Sequence, residues 1–149
     1  MRAVCQRVRW ARVTVQGQMV GEIGRGWAVL LGVAADDDEA GAATLAQQIA
    51  TVRAFDDGSG RMGLSAEEVG AEFLVVSQIT LHADLSQGRR PSFTKAAPRE
   101  LAQRLVDYFA ALLEARSFRV AKGEFGAMMD VELCNEGPVT IVLSTDGWG

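Results

Sequence analysis

Two short stretches of this chain combine residue types that could do chemistry. The first is Ser77-Gln78-Ile79-Thr80-Leu81, at the end of an apolar run that begins at Phe73. A buried polar group is costly unless it is paired. Hydroxyls and an amide inside such a run therefore mark either a site or hydrogen bonds to neighbouring strands at a sheet edge. The second is Asn135-Glu136-Gly137-Pro138-Val139-Thr140. Asn and Gly form turns, and Pro has no N–H to give to a ladder, so the pattern alone reads as a turn between two strands. A cis Gly137-Pro138 bond is compatible with it, as with any X–Pro pair.

Ordinary nucleophile sites are hard to build from what remains. His82 is the sole histidine, so no Ser–His–Asp triad can be assembled. If the apolar run continues as a strand, Thr80 and His82 project to one face, and a Thr80 nucleophile with His82 as its base is one reading. A polar surface histidine is the other. Cys5 and Cys134 are too few and too far apart for a disulfide framework, and read as small buried hydrophobes in a reducing compartment. Gly24-Arg25-Gly26 is too short for a phosphate loop. No metal and no cofactor are expected.

Composition bounds the rest. The chain has 149 residues, 48% of them hydrophobic and 23% charged, which suits a single domain spanning 1–149 with a real core. No apolar stretch is long enough for a membrane helix, and the start turns polar too soon for a signal peptide, so a cytoplasmic protein is expected. The net charge of -4 argues against broad, tight RNA affinity. It leaves room for brief contact through local cations, and Arg89, Arg90, Lys95, Arg99 and Arg104 are one candidate patch.

Strands and helices must position these residues. Ala11 to Val15, Met19 to Ile23 and the continuous run Trp27 to Val33 read as strands, the last a central one. Asp36-Asp37-Asp38-Glu39 opens a helix whose inner face carries Leu45, Ile49 and Val52. Asp56 to Gly60 is a turn cluster, and Phe73 to Leu81 a further strand. Pro98 starts a second helix with Leu101, Leu105, Tyr108, Phe109 and Leu112 inside. Strand-like runs near Phe118 to Ala121, Met129 to Cys134 and Val139 to Ser144 close the chain. The sum is α+β: about eight strands in a curved, mostly antiparallel, barrel-like sheet covered by two helices.

Together the two stretches resemble the signature motifs of the D-aminoacyl-tRNA deacylase family, of the form SQxTL and NxGPxT. The likeness runs over roughly residues 1 to 144 and takes in Gln6-Arg7-Val8, Leu30-Leu31-Gly32-Val33, Gly60-Arg61-Met62, Arg90-Pro91-Ser92-Phe93, and Gly123, Phe125, Ala127, Met129 and Val131 in order. The resemblance implies a homodimer with active sites at the subunit interface, acting on the 3′ acceptor end of an aminoacyl-tRNA in translation quality control. Ser77, Gln78 and Thr80 would be catalytic. Backbone N–H groups of Ile79 and Thr80 would hold the oxyanion. Ile79, Phe125, Met129, Asn135, Gly137, Pro138 and Thr140 would bind substrate, with Arg7 supporting the Gly-Pro element.

In this scheme Gly137-Pro138 takes a cis bond and reaches into the partner's pocket. Its stiff carbonyls reject L side chains, while D-aminoacyl esters and glycine pass. Water is the expected nucleophile, helped by the tRNA's own terminal 2′-hydroxyl, and covalent attack by Thr80 is the competing mechanism. Related readings are a noncatalytic RNA-binding module on the same scaffold and a deacylase that admits small L-aminoacyl groups. Two departures stand out. The family usually has Phe at Ile79, so any stacking of that ring on the terminal adenine is lost. His82 stands where members often have a small residue. Asp146-Gly147-Trp148-Gly149 lies beyond the likeness and carries no assigned role.

Overall fold

The structure is a computed structural model that describes residues 1–147; Trp148 and Gly149 lie outside the described residues. Its spine is a long first strand, β1 (Arg2–Val15), which pairs antiparallel with β2 (Gln18–Ile23), β3 (Gly26–Gly32) and the C-terminal β8 (Asp130–Ser144). Beyond β3 the sheet turns parallel, adding β6 (Glu72–Ser77) and then β7 (Val120–Lys122). The sheet curls until β2 nearly meets β7. A Cβ placed on Gly21 would stand 2.8 Å from the Lys122 carbonyl oxygen. Arg119 Nη1 donates to the Glu22 carbonyl at 2.8 Å across the same seam.

Side chains alternate along a strand, so each strand of this sheet serves two cores. On the outer face Ala3, Cys5, Trp27, Val29, Leu31, Phe73 and Val75 pack under α1 (Glu39–Thr51) and α3 (Arg99–Ala115). On the inner face Val8, Ala11, Val13, Ile23, Ala28, Leu74 and Val76 fill the curl. The register of β1 against β8 shifts between Val8 and Trp10. A one-residue slip exchanges faces. It turns Ala11 and Val13 into the inner core, although Ala3 and Cys5, also odd-numbered, face the helices. Each large apolar side chain so buried contributes roughly 1.5–3 kcal/mol.

The helices follow their local chemistry. Asp38 caps α1, accepting from the Gly41 N–H at 2.9 Å, and Leu45 and Ile49 are buried as expected. Val52 is the C-cap and only half-buried. Pro98 is the N-cap of α3 and not its first residue. The inner stripe of α3 is Leu105, Val106, Phe109, Ala110 and Leu113, so it is rotated slightly away from Leu101, Tyr108 and Leu112. A third, short helix, α2 (Ala66–Val69), was not expected. Ser65 and Glu68 close a capping box around it, a spacing visible in the sequence. The Asp56–Gly60 turn sits in a small hairpin of β4 (Phe55–Asp56) and β5 (Met62–Leu64).

Both chemical stretches fold differently from their patterns. The strand expected to reach Leu81 ends at Ser77. The Gln78 N–H takes the last rung, to the Leu31 carbonyl at 2.8 Å, and there β3 ends. With no partner strand left, residues Ile79–His82 wind into a 3₁₀ turn, closed by Leu81 N–H to the Gln78 carbonyl at 3.3 Å. The turn expected between two strands at Asn135–Thr140 lies inside one continuous strand, β8.

Candidate active site

The first stretch can approach β3 closely because residue 32 is glycine. A Cβ there would stand 2.8 Å from the Gln78 carbonyl oxygen and 2.9 Å from Leu81 Cβ. The 3₁₀ turn is thereby seated on the end of the parallel β3–β6 pair. Ser77, Gln78 and Ile79 open onto a cavity of ≈ 480 Å³, whose far wall is Phe125, Gly126, Ala127 and Met129, with Arg99 at its rim. Phe125 and Met129 thus line the same cavity as the first motif. Ile79 is 53% exposed there, an apolar side chain held out to solvent.

Thr80 does not line this cavity. Its hydroxyl oxygen accepts from Gln78 Nε2 at 2.5 Å. A hydroxyl activated for attack needs a base within reach, and among the described residues none is hydrogen-bonded to it. The pairing with His82 is not made. In a 3₁₀ turn residues two apart do not share a face. His82 is also no surface residue: it is 4% exposed, and among the described residues its Nε2 has no hydrogen-bond partner. Burial holds its pKa below the usual 6.5, against a raising contribution from the backbone at Gly32. It lines a different cleft, with Asp36, Asp37, Lys95 and Asp146. Cys5 is equally out of the chemistry, since burial pushes its thiol up to about 12. Cys134 is half-buried, and both thiols are free.

The second stretch is a wide bulge. Val8 pairs with Asn135 and Gln6 with Thr140, so Glu136, Gly137, Pro138 and Val139 stand opposite Arg7 alone. The extra residues push Gly137 and Pro138 outward, where both are exposed. Gly137 has φ 130°, a conformation open to glycine and strained for other residues. The Gly137-Pro138 bond is cis.

Arg7 holds the base of the bulge. It is only 5% exposed. Its Nε donates to the Glu136 carbonyl at 3.1 Å and its Nη1 to the Ala54 carbonyl at 2.7 Å, which ties β8 to the segment after α1. The Glu136 carboxylate answers the charge at 3.7 Å and also meets Arg9 at 3.5 Å and Arg25 at 3.8 Å. A planar fork with several fixed donors suits the task of holding carbonyls in place. Gln6 and Thr140 meet through their side chains at 2.7 Å beside it.

Within one chain the two stretches stay apart. Asn135, Gly137, Pro138, Thr140 and Arg7 do not line the cavity that Ser77, Gln78 and Ile79 enter. The five cations also fail to form one footprint. Arg99 borders the cavity, Lys95 lines the other cleft, and Arg104 is paired with Glu39 at 3.0 Å. Sequence reasoning missed the Glu136 carboxylate and the particular place of Arg99. Glu136 stood at an unspecified position of NxGPxT, and Arg99 had the pattern of one solvated cation among several.

The family model of the D-Tyr-tRNA(Tyr) deacylases matches residues 4–144, which includes both stretches. The chain belongs to this family. It is 55% identical over 145 residues to the D-aminoacyl-tRNA deacylase of Chloroflexus aurantiacus (strain ATCC 29364 / DSM 637 / Y-400-fl), covering 97% of this chain and 91% of that one. Against the D-aminoacyl-tRNA deacylase of Desulfatibacillum aliphaticivorans it is 50% identical, covering 97% and 99%. Among solved structures, the c-Myc DNA unwinding element binding protein superposes with a TM-score of 0.89 at 37% identity, over 97% of this chain and 99% of that one. A chain described as a probable eukaryotic D-amino acid tRNA deacylase shares the fold, with a TM-score of 0.81 at 20% identity over 95% and 97%. Among the described residues no helix is long and apolar enough to cross a membrane.

Proposed function

We propose that this family member hydrolyses the ester joining a D-amino acid, or glycine, to the 3′ end of tRNA, and that it spares L-aminoacyl esters. The observation that carries the reading is a cavity entered by Ser77, Gln78 and Ile79 in a chain that matches the deacylase family from residue 4 to 144. The ester carbonyl sits at the head of the 3₁₀ turn. The N–H groups of Ile79 and Thr80 begin that turn, where a helix leaves its first donors without intrahelical acceptors. They take up the charge that develops on the carbonyl oxygen. One such donor is worth about 10²–10³ in rate.

Water adds to the carbonyl carbon, and the tetrahedral intermediate collapses by breaking the ester C–O bond. The proton lost by water ends on the departing ribose oxygen, giving the free amino acid and tRNA. The terminal 2′-hydroxyl orients the water. The Thr80 hydroxyl, already engaged by Gln78, supports this over covalent attack. Phe125 and Met129 flank the bound end of the substrate.

Discrimination falls to the exposed Gly137-Pro138 bulge, donated by a second copy of the chain. Its carbonyls stand where an L side chain would project, and a D side chain points away. Asn135 and Thr140 flank the bulge, and Arg7 keeps it stiff. The outward-facing bulge and the apolar Val131 and Val142 exposed on the same strand support a two-fold arrangement. The protein then works in the cytoplasm, where its substrate is.

The test compares D-tyrosyl-tRNA, L-tyrosyl-tRNA and glycyl-tRNA as substrates. The D and glycyl esters are cleaved and the L ester is not. Equal cleavage of D and L forms would refute stereochemical rejection. Nucleic acid binding without any cleavage would favour a noncatalytic module, a reading that the name of the DNA-binding structural neighbour suggests and the net charge of -4 disfavours.

A further inference from the structure

Arg99 is the first residue of α3, and its side chain returns over the cavity rim. Its guanidinium carbon lies 5.5 Å from the centre of the Phe125 ring. The same group sits against the turn that follows Phe125. A Cβ on Gly126 would be 2.9 Å from both Nη1 and Nη2, and Gly126 has φ 78°, so glycine makes this seat available twice over. The residue itself is exposed. Among the described residues no carboxylate reaches salt-bridge distance of the guanidinium, although Glu100 and Glu124 are sequence neighbours of its platform. Of the other candidate cations, Lys95 lines the second cleft and Arg104 is paired with Glu39.

A planar cation that is stacked, pre-positioned and without an anionic partner at a cavity mouth suits a bidentate phosphate contact. Taking the deacylase reading as given, we propose that Arg99 grips the phosphodiester that joins the terminal nucleoside to the one before it. The strand must leave the cavity past the rim, and its first anionic group after the ribose is that phosphate. The Phe125 ring beneath the guanidinium keeps the fork oriented. This gives an acidic protein one placed cation for the acceptor strand and does not require a broad basic face.

The contact is tested with three substrates of increasing length: D-tyrosyl-adenosine, D-tyrosyl-cytidylyl-adenosine and D-tyrosyl-tRNA. The first carries no phosphodiester and the second carries one. Arg99→Gln should lose least on the adenosine ester. On the dinucleotide ester and on the tRNA its kcat/KM should fall about tenfold, mainly through KM, as expected for loss of a charged hydrogen bond at a partly exposed site. The slope of log kcat/KM against log salt should flatten by about 0.7, the value for one single-strand phosphate. Equal loss on all three substrates would show a role in shaping the cavity and overturn the assignment. So would an unchanged rate and salt slope on the dinucleotide ester and the tRNA. Failure of the wild type on every ester would overturn the deacylase reading, and the Arg99 assignment with it.

Discussion

The 3₁₀ turn after Ser77 and the bulge at Gly137-Pro138 solve opposite problems. The turn is held from inside, by backbone bonds to the end of β3 and by the missing side chain at Gly32. Ser77 and Gln78, just before it, line a largely apolar cavity, where a few fixed donors count for most. The bulge is held from outside the sheet ladder, by one buried arginine and the acid that neutralises it, and it presents main chain to solvent. In the proposed reading the first arrangement stabilises a developing charge. In the same reading the second offers main chain that obstructs an L side chain. A site that must be reactive yet selective gains from keeping these parts on separate elements.

Changes at Arg7 should separate the two parts most sharply. Arg7→Ala removes the bonds to the Glu136 and Ala54 carbonyls and leaves Glu136 without its closest buried charge. We expect a loss of about 3 kcal/mol in denaturant unfolding. Activity on D-tyrosyl-tRNA should fall by about 10²-fold even in the folded fraction, because the bulge is misplaced. Retained activity with full stability would show that the bulge does not depend on this arginine.

A smaller effect is expected at Gly137→Ala. At φ 130° the new Cβ would sit 3.0 Å from Val139 N and 3.3 Å from Arg7 Nη2. The strain is about 1–3 kcal/mol and should appear as leakage toward L-tyrosyl-tRNA. If discrimination between D and L esters is unchanged, the bulge is not the selective element.

Thr80→Val should lower turnover by less than about tenfold, because only the Gln78 contact is lost and the backbone donor remains. Loss of all measurable activity in a folded protein would instead favour a covalent Thr80.

The smallest effect concerns His82. Its pKa is depressed in the fold, so neutral His82 adds stability that is present above 6.5 and fades as pH falls below it, when the unfolded chain takes up a proton more readily. The groups around it are Arg2, Asp36, Asp37, Asp38, Lys95, Asp146 and the chain's N-terminal amine. Melting temperature should therefore drop as pH falls below 6.5, before the carboxylates titrate. His82→Gln should flatten that part of the curve. An identical pH dependence in the variant would remove His82 as its source.

Much of the fold was legible in the sequence. Hydrophobic runs placed β3, β6 and both long helices, because burial demands apolar residues at fixed periods. The Asp36–Glu39 cluster and Pro98 marked the two long helix starts. The family match bears out the resemblance that the two motifs carried. Local pattern failed where the outcome depended on a neighbour. Nothing in Ile79-Thr80-Leu81-His82 shows that β3 stops at Gly32 and leaves the next residues without a ladder. Nothing in Asn135 to Thr140 shows that β1 runs unbroken past the bulge and keeps the chain in one strand.

The amino-acid order determined which segments are apolar, where helices begin, and which unusual residues sit together in sequence. Those properties are local, set by side-chain chemistry and short-range backbone preference. Only the tertiary structure decided that Phe125, Met129 and Arg99 face Ser77, that Arg7 lies beneath Gly137, and that His82 is shut away from Thr80. Such juxtapositions depend on strand register and sheet curl, which arise from the summed packing of the whole chain.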